Sequence, residues 1–232
     1  MEKILSIIIP IYNKWGFTKS CLNDLSKLPN DHEIIIYDNG SVDETKYNLE
    51  NNKEIIYIRS EENKGFARAN NIAYSYSTAP NVLFLNNDIR VKDDYSNWTD
   101  IIIQKCNNGL VGPTMGQLDN KFNFIKEANE SLSGKSYMSG WCLASSKKNW
   151  NKLNFPRPRN IDQNIPQIFS EEFFAYFEDT DLSFRAKKLG IKFKIVEVPI
   201  VHFKKQTSCQ LNTYKLYKES REIFIKKWTK FQ

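Results

Sequence analysis

Four short apolar runs, at residues 5–11, 33–37, 55–58 and 82–85, punctuate the first part of the chain, and the stretches between them carry helical spacing. The run at 5–11 is apolar almost throughout, as a strand covered on both faces must be. Residues 16–28 place Phe17, Cys21, Leu22, Leu25 and Leu28 on one helical face, and 66–76 form a further helix. Between them, Ser41-Val42-Asp43-Glu44 has the form of a capping box. Strand–helix repetition of this kind builds an α/β sheet of parallel strands joined by right-handed crossovers. Ligands of such sheets sit beyond the carboxyl ends of the strands. The polar clusters Tyr12-Asn13, Asp38-Asn39-Gly40 and Asn86-Asn87-Asp88 all fall there.

The second part is less regular. A helix at 98–106 leads to a strand starting at Leu110, then a turn-rich stretch at 112–136 with a hairpin around Asp119-Asn120. A strand is expected at 137–144, a proline-rich loop at 154–167, a helix at 182–189, a strand at 193–201 and a terminal helix at 212–227. The length, 232 residues, suits one continuous core.

Composition excludes several classes. The net charge of +6 is dispersed, with no basic block and no Cys/His finger, so no nucleic-acid partner is expected. Cys21, Cys106, Cys142 and Cys209 lie far apart, which fits free thiols in a reducing, cytoplasmic setting. Pro10 interrupts the N-terminal apolar run, which reads as a first strand rather than a signal peptide. No run approaches the roughly 20 apolar residues that span a bilayer. The terminal helix mixes Tyr214, Tyr217, Phe224, Ile225 and Trp228 with lysines; packing on the core is the expectation, peripheral docking on anionic lipid the alternative.

The first strand–helix turn is Pro10-Ile11-Tyr12-Asn13-Lys14, so neither a dinucleotide glycine fingerprint nor a Walker loop is present. Asp38 ends a strand, where a carboxylate can accept the imide N–H of a pyrimidine or simply form a turn. Asp88 can bind a hard cation that in turn binds a diphosphate; a solvated turn is the plainer alternative. Residues 177–182 bring Glu178, Asp179 and Asp181 together ahead of a helix. Capping accounts for one of these acids, and another can serve as a general base. His202 ends an apolar strand and is either a metal ligand or structural.

Taken in order, the segments 7–13, 37–43, 63–71, 85–88 (Leu-Asn-Asn-Asp), 178–182 (Glu-Asp-Thr-Asp-Leu) and His202…Ser208 resemble the family 2 inverting glycosyltransferases, from residue 4 to about residue 228. The Asn-Asn-Asp and Glu-Asp-x-Asp-Leu forms are most similar to rhamnosyltransferases and related surface-polysaccharide enzymes. The resemblance implies a GT-A fold: a single-domain αβα sandwich with a mostly parallel central sheet. Residues 1 to about 110 would hold the nucleotide sugar and about 111–232 the acceptor and the catalytic base. By position, Pro10, Tyr12 and Asp38 would contact the base, and Asn63, Gly65, Arg68 and Asn87 the rest of the donor. Asn86, Asp88 and His202 would hold Mn²⁺ or Mg²⁺, although the amide of Asn86 is a weaker ligand than a carboxylate. Asp179 would be the general base, with Gly140, Trp141 and Glu178 on the acceptor side. The implied donor is dTDP- or UDP-linked, dTDP-rhamnose first, and the implied acceptor is a glycan or lipid-linked hydroxyl. Two other readings compete: a binding module without turnover, which Asn86 favours, and a sugar nucleotidyltransferase, which the missing glycine-rich loop disfavours.

Overall fold

The structure is a computed structural model that describes residues 2–92, 97–156, 162, 164–204 and 212–229. Strand β1 (Leu5–Ile11) is buried on both faces: Ile8 joins one apolar layer, while Ile7, Ile9 and Ile11 join the other. Such a strand belongs at the middle of a sheet. It pairs in parallel with β2 (His32–Asp38) on one side and β4 (Asn81–Leu85) on the other. Beyond β2 lies β3 (Ile56–Arg59), also parallel. Beyond β4, the second part of the chain adds antiparallel β10 (Cys142–Ser146), then β6 (Leu110–Gly112) and β11 (Phe193–Ile195). The strand order is β11-β6-β10-β4-β1-β2-β3.

Helices cover both faces. Helices α1 (Trp15–Leu25), α2 (Thr45–Leu49) and α4 (Trp98–Cys106) bury Cys21, Leu25, Leu49, Trp98 and Ile102 on one side. On the other, α3 (Phe66–Ser75), α5 (Lys147–Leu153) and α6 (Glu178–Lys188) bury Ala67, Ala73, Trp150, Leu182 and Ala186. This is the αβα sandwich with a mostly parallel sheet that the sequence leads one to expect.

Two smaller sheets and a third cluster sit at the carboxyl end. Strands β7 (Met115–Leu118), β8 (Phe124–Ala128) and β9 (Ser136–Met138) form an antiparallel sheet, and β5 (Ile89–Val91) pairs with β12 (Ile200–His202). Helix α7 (Thr213–Thr229) closes the structure by burying Phe224 and Trp228 against Phe122, Phe173, Phe177 and Phe184. The Phe224 ring lies 5.2 Å from both Phe177 and Phe184, with edge and tilted contacts typical of aromatic packing. Phe224 and Trp228 of α7 are thus used in the protein's interior, as the packing expectation has it, while Tyr214 stays exposed; this packing lends the membrane-docking alternative no support. No helix among the described residues is long and apolar enough to cross a membrane.

Several expectations need correction. The capping box does not form: α2 starts at Thr45, and Asp43 instead accepts hydrogen bonds from the Thr45 and Trp15 amides, tying two loops together. The strand expected at 137–144 is two, β9 and β10, serving different sheets and separated by a bend at Ser139-Gly140-Trp141. The stretch 193–201 likewise splits into β11 and β12. Neither β5 nor α5 was foreseen. The proline-rich loop falls partly, and Cys209 and Ser208 wholly, outside the described residues.

Candidate active site

A cleft of about 790 Å³ opens at the carboxyl ends of β1, β2 and β4 and runs across to β7–β9 and α7. Twelve of the fourteen residues picked from the sequence line it: Pro10, Tyr12, Asn63, Gly65, Asn86, Asn87, Asp88, Gly140, Trp141, Glu178, Asp179 and His202. Asp38 and Arg68 do not. Asp38 is fully buried, and its Oδ2 accepts from Tyr57 Oη at 2.6 Å and from the Arg59 guanidinium. Its Oδ1 accepts from the Ser41 amide at 2.8 Å. The carboxylate therefore organises the β2–α2 turn and is not presented to a base. Arg68 lies 3.7 Å from Glu171, off the cleft wall.

At the sheet end of the cleft, Tyr12 offers a half-buried ring beside Pro10. Asn63 Oδ1 accepts from the Gly65 amide at 2.9 Å, and Phe66 donates its N–H to the Phe174 carbonyl. A Cβ on Gly65 would stand 2.6 Å from that carbonyl oxygen, so only glycine permits this approach, and its φ of +84° asks for glycine as well.

Deeper in, Asp88 Oδ1 lies 3.1 Å from His202 Nε2, brought together by the β5–β12 pairing. Asn86 approaches the same nitrogen at 3.5 Å, and its Oδ1 is buried without a hydrogen-bond partner. Amide orientation is assigned from the network, so the oxygen can equally face His202. Asn87 donates to Thr18 Oγ1 at 2.9 Å. Among the described residues no three His, Cys, Asp or Glu side chains converge on a cation. A carboxylate, an imidazole and an orphaned amide oxygen do fit a hard divalent ion, with ligand oxygens completing the shell.

Across the cleft, Asp179 stands in the first turn of α6. Its Oδ2 accepts from the Gly140 amide at 2.9 Å and its Oδ1 from the Thr180 amide at 2.6 Å. Burial raises its pKa; the Gly140 and Thr180 bonds oppose the shift, and nearby Glu127 adds to it. Glu178 is raised too, by burial first and by Asp179 second, and its buried Oε2 has no hydrogen-bond partner. The two acids titrate as a pair. Asp181 plays a different part: it is fully buried and binds Arg185 Nε at 2.9 Å, Trp228 Nε1 at 2.9 Å and Lys227 Nζ at 3.0 Å. It does not cap the helix, and instead fastens α7 to α6.

A cleft with a cation-compatible corner and a carboxyl of raised pKa opposite has the parts for group transfer from a diphosphate. Comparison with known proteins agrees: the family model "Glycosyl transferase family 2" matches residues 6–181. The chain belongs to glycosyl transferase family 2. It is 30% identical over 118 residues to a teichoic acid poly(glycerol phosphate) polymerase of Staphylococcus epidermidis, 47% of this chain but 16% of that protein. Among solved structures, S. aureus TarS 1–349 superposes with a TM-score of 0.59 at 16% identity, covering 92% of this chain and 63% of that one. A Pyrobaculum calidifontis mannosyltransferase, PcManGT, with GDP-Man and Mn²⁺, gives 0.58 at 14% identity, covering 90% and 60%. These two show the shared fold.

Three lining residues of this family 2 chain escaped the sequence. Glu127 on β8 accepts from Lys204 Nζ at 2.6 Å and Thr114 Oγ1 at 2.8 Å. Burial pushes Glu127 up, but those bonds and one from Ser139 outweigh it and leave the carboxyl below its usual range. Tyr137 on β9 is the third. Glu127 and Tyr137 sit in no motif and at no end of the parallel strands, so no sequence signal pointed to them; Lys204 falls within the His202…Ser208 segment but was not singled out there.

Proposed function

We propose that this chain is an inverting, metal-assisted glycosyltransferase that moves a sugar from a nucleoside diphosphate to an acceptor hydroxyl in cell-surface glycan synthesis. The observation that carries the reading is the opposition, within one cleft, of Asp88–His202 with the orphaned Asn86 oxygen and Asp179 with its raised pKa. Asp179 accepts the proton of the acceptor hydroxyl as that oxygen attacks the anomeric carbon on the face opposite the departing diphosphate. One displacement of this kind inverts the anomeric configuration. Mn²⁺ or Mg²⁺ held by Asp88, His202 and Asn86 would supply positive charge to the leaving diphosphate. The bonds from Gly140 and Thr180 hold the Asp179 carboxylate in position, while the aromatic walls formed by Phe174, Tyr176 and Phe177 limit water around it.

The donor is proposed to be UDP- or dTDP-linked, rhamnose included, and the acceptor a glycan hydroxyl, free or lipid-linked. Support for this class comes from relatives: a polymerase of teichoic acid, and TarS 1–349 in complex with UDP, which superposes with a TM-score of 0.57. Released diphosphate from UDP-glucose, UDP-N-acetylglucosamine, dTDP-rhamnose and GDP-mannose, each with Mn²⁺, tests it. One donor should turn over. Asp88→Ala should lower that rate on the order of 10²-fold, the scale of losing one stabiliser of developing charge. Undiminished release by wild type in excess chelator would refute the metal role, and no release from any donor the transferase role.

A further inference from the structure

Strands β7 and β9 set Gly116 directly opposite Tyr137. The absence of a side chain at Gly116 is what lets the Tyr137 ring lie across the β7 backbone. A Cβ there would stand 2.2 Å from the ring's Cζ and 2.5 Å from its Oη, so no other residue leaves the phenol in place. The ring is half-buried, and with Glu127, Glu178 and Asp179 it lines the acceptor side of the cleft. Among the described residues no group forms a hydrogen bond with the phenol oxygen. Burial first, then the Asp179 and Glu127 carboxylates, push its pKa upward, so it remains a hydrogen-bond donor throughout the working pH range. A donor hydroxyl on the wall of the cleft beside the proposed general base, without a partner among the described residues, is placed to meet an oxygen of the substrate.

We propose that Tyr137, seated on Gly116, is an acceptor-binding residue: its phenol donates a hydrogen bond to an acceptor oxygen and so presents the attacking hydroxyl to Asp179. The proposal rests on the glycosyltransferase reading above. It involves no proton transfer by Tyr137; the attacking hydroxyl's proton goes to Asp179, and the phenol keeps its own. The recognised chemistry is a polyol or sugar hydroxyl, for which water is a poor substitute because it gains little from being oriented.

The test is the partition of donor sugar between water and glycerol. Wild type and variants are incubated with whichever of the four nucleotide sugars wild type turns over, in molar glycerol, and the ratio of glyceryl glycoside to free sugar is measured. The ratio is independent of the amount of folded enzyme. Tyr137→Phe should lower it about three- to tenfold, the worth of one neutral hydrogen bond. Gly116→Ala, which displaces the ring, should lower the ratio similarly in wild type and add nothing in the Tyr137→Phe background. An unchanged ratio in Tyr137→Phe, or an equal effect of Gly116→Ala in both backgrounds, would overturn the proposal alone. Absence of turnover by wild type with every donor would overturn the transferase reading and the proposal with it.

Discussion

The three acids that open α6 should separate cleanly by experiment, because the structure gives them different work. Asp181 is fully buried, with Oδ1 shared by Trp228 and Lys227 of α7 and Oδ2 held by Arg185. In Asp181→Asn one oxygen survives, but an NH₂ now faces the Arg185 N–H donor and the negative charge between two cations is gone. Breaking a buried ion pair from one side costs about 3–5 kcal/mol. The surviving Oδ1 bonds place this case near the lower end, about 3 kcal/mol. For a chain of this size that is about 6–12 °C in melting temperature. Asp179→Asn removes basicity at the proposed general base, so transfer should fall about 10²–10⁴-fold; it gives up one backbone hydrogen bond but no ion pair, so it should destabilise less than Asp181→Asn. Urea titration at 25 °C and initial rates at 10 °C, where both variants are folded, read the two effects separately. A stable Asp181→Asn with no transfer, or Asp179→Asn near the wild-type rate, would refute this division of roles.

Glu178 and Asp179 both have folded pKa values raised above the unfolded ones, so the folded chain holds more protons and its stability falls as pH rises from the ordinary carboxylate range through the raised values. Glu178→Gln should flatten that decline, seen as a smaller melting-temperature difference between pH 5 and pH 8; an unchanged difference would show that the pair does not cause it. Gly65→Ala forces a Cβ to 2.6 Å from the Phe174 carbonyl at a φ of +84°, and should cost about 1–3 kcal/mol while weakening UDP binding in calorimetry. Wild-type melting and UDP affinity together would contradict it.

The sandwich was legible because its signals are local and repeated: β1, β2 and β4 are apolar on both faces, and a parallel strand buried on both sides has few other homes. The sheet end of the cleft followed from topology, since Tyr12, Asn63, Asn86 and Asp88 stand just past strand ends. Asp38 shows where this logic stops. It also ends a strand, but Arg59, a residue of β3 whose partner no local pattern reveals, turns its carboxylate inward. The opposite side of the cleft was less legible for a related reason. Glu127, Tyr137 and α7 reach the cleft through antiparallel pairings and an aromatic cluster that join distant segments, and alternation in strands of three to five residues is too short to specify a face. The split of 137–144 into β9 and β10 depends on the Gly140 amide bonding Asp179, thirty-nine positions away.

That bend has a consequence for how the two ends of the cleft are kept in step. Gly140 donates its amide to Asp179 on one side, and the adjacent Trp141 carbonyl accepts the Asn86 amide at 2.8 Å on the other. The Trp141 indole stacks on His202 at 4.6 Å and 14°, and its Nε1 donates to Thr114, which in turn donates to Glu127. A single dipeptide therefore touches the proposed general base, the imidazole beside Asp88 and the β7–β9 sheet. Opposite it, Tyr176 and Phe177 both adopt left-handed backbone (φ 66° and 65°) immediately before Glu178. Two consecutive aromatic residues in that region store strain of order 1–3 kcal/mol each, which persists only where packing over-determines it. Tyr217 and Phe224 of α7 supply that packing against both rings, and Asp181 fastens α7 in place. The strained turn aims Glu178 and Asp179 into the cleft rather than along the helix flank. The aromatic cluster and the Gly140-Trp141 bend thus act as two supports for one geometry: the first backs the turn that carries Asp179, the second ties that carboxylate through one dipeptide to Asn86 and His202.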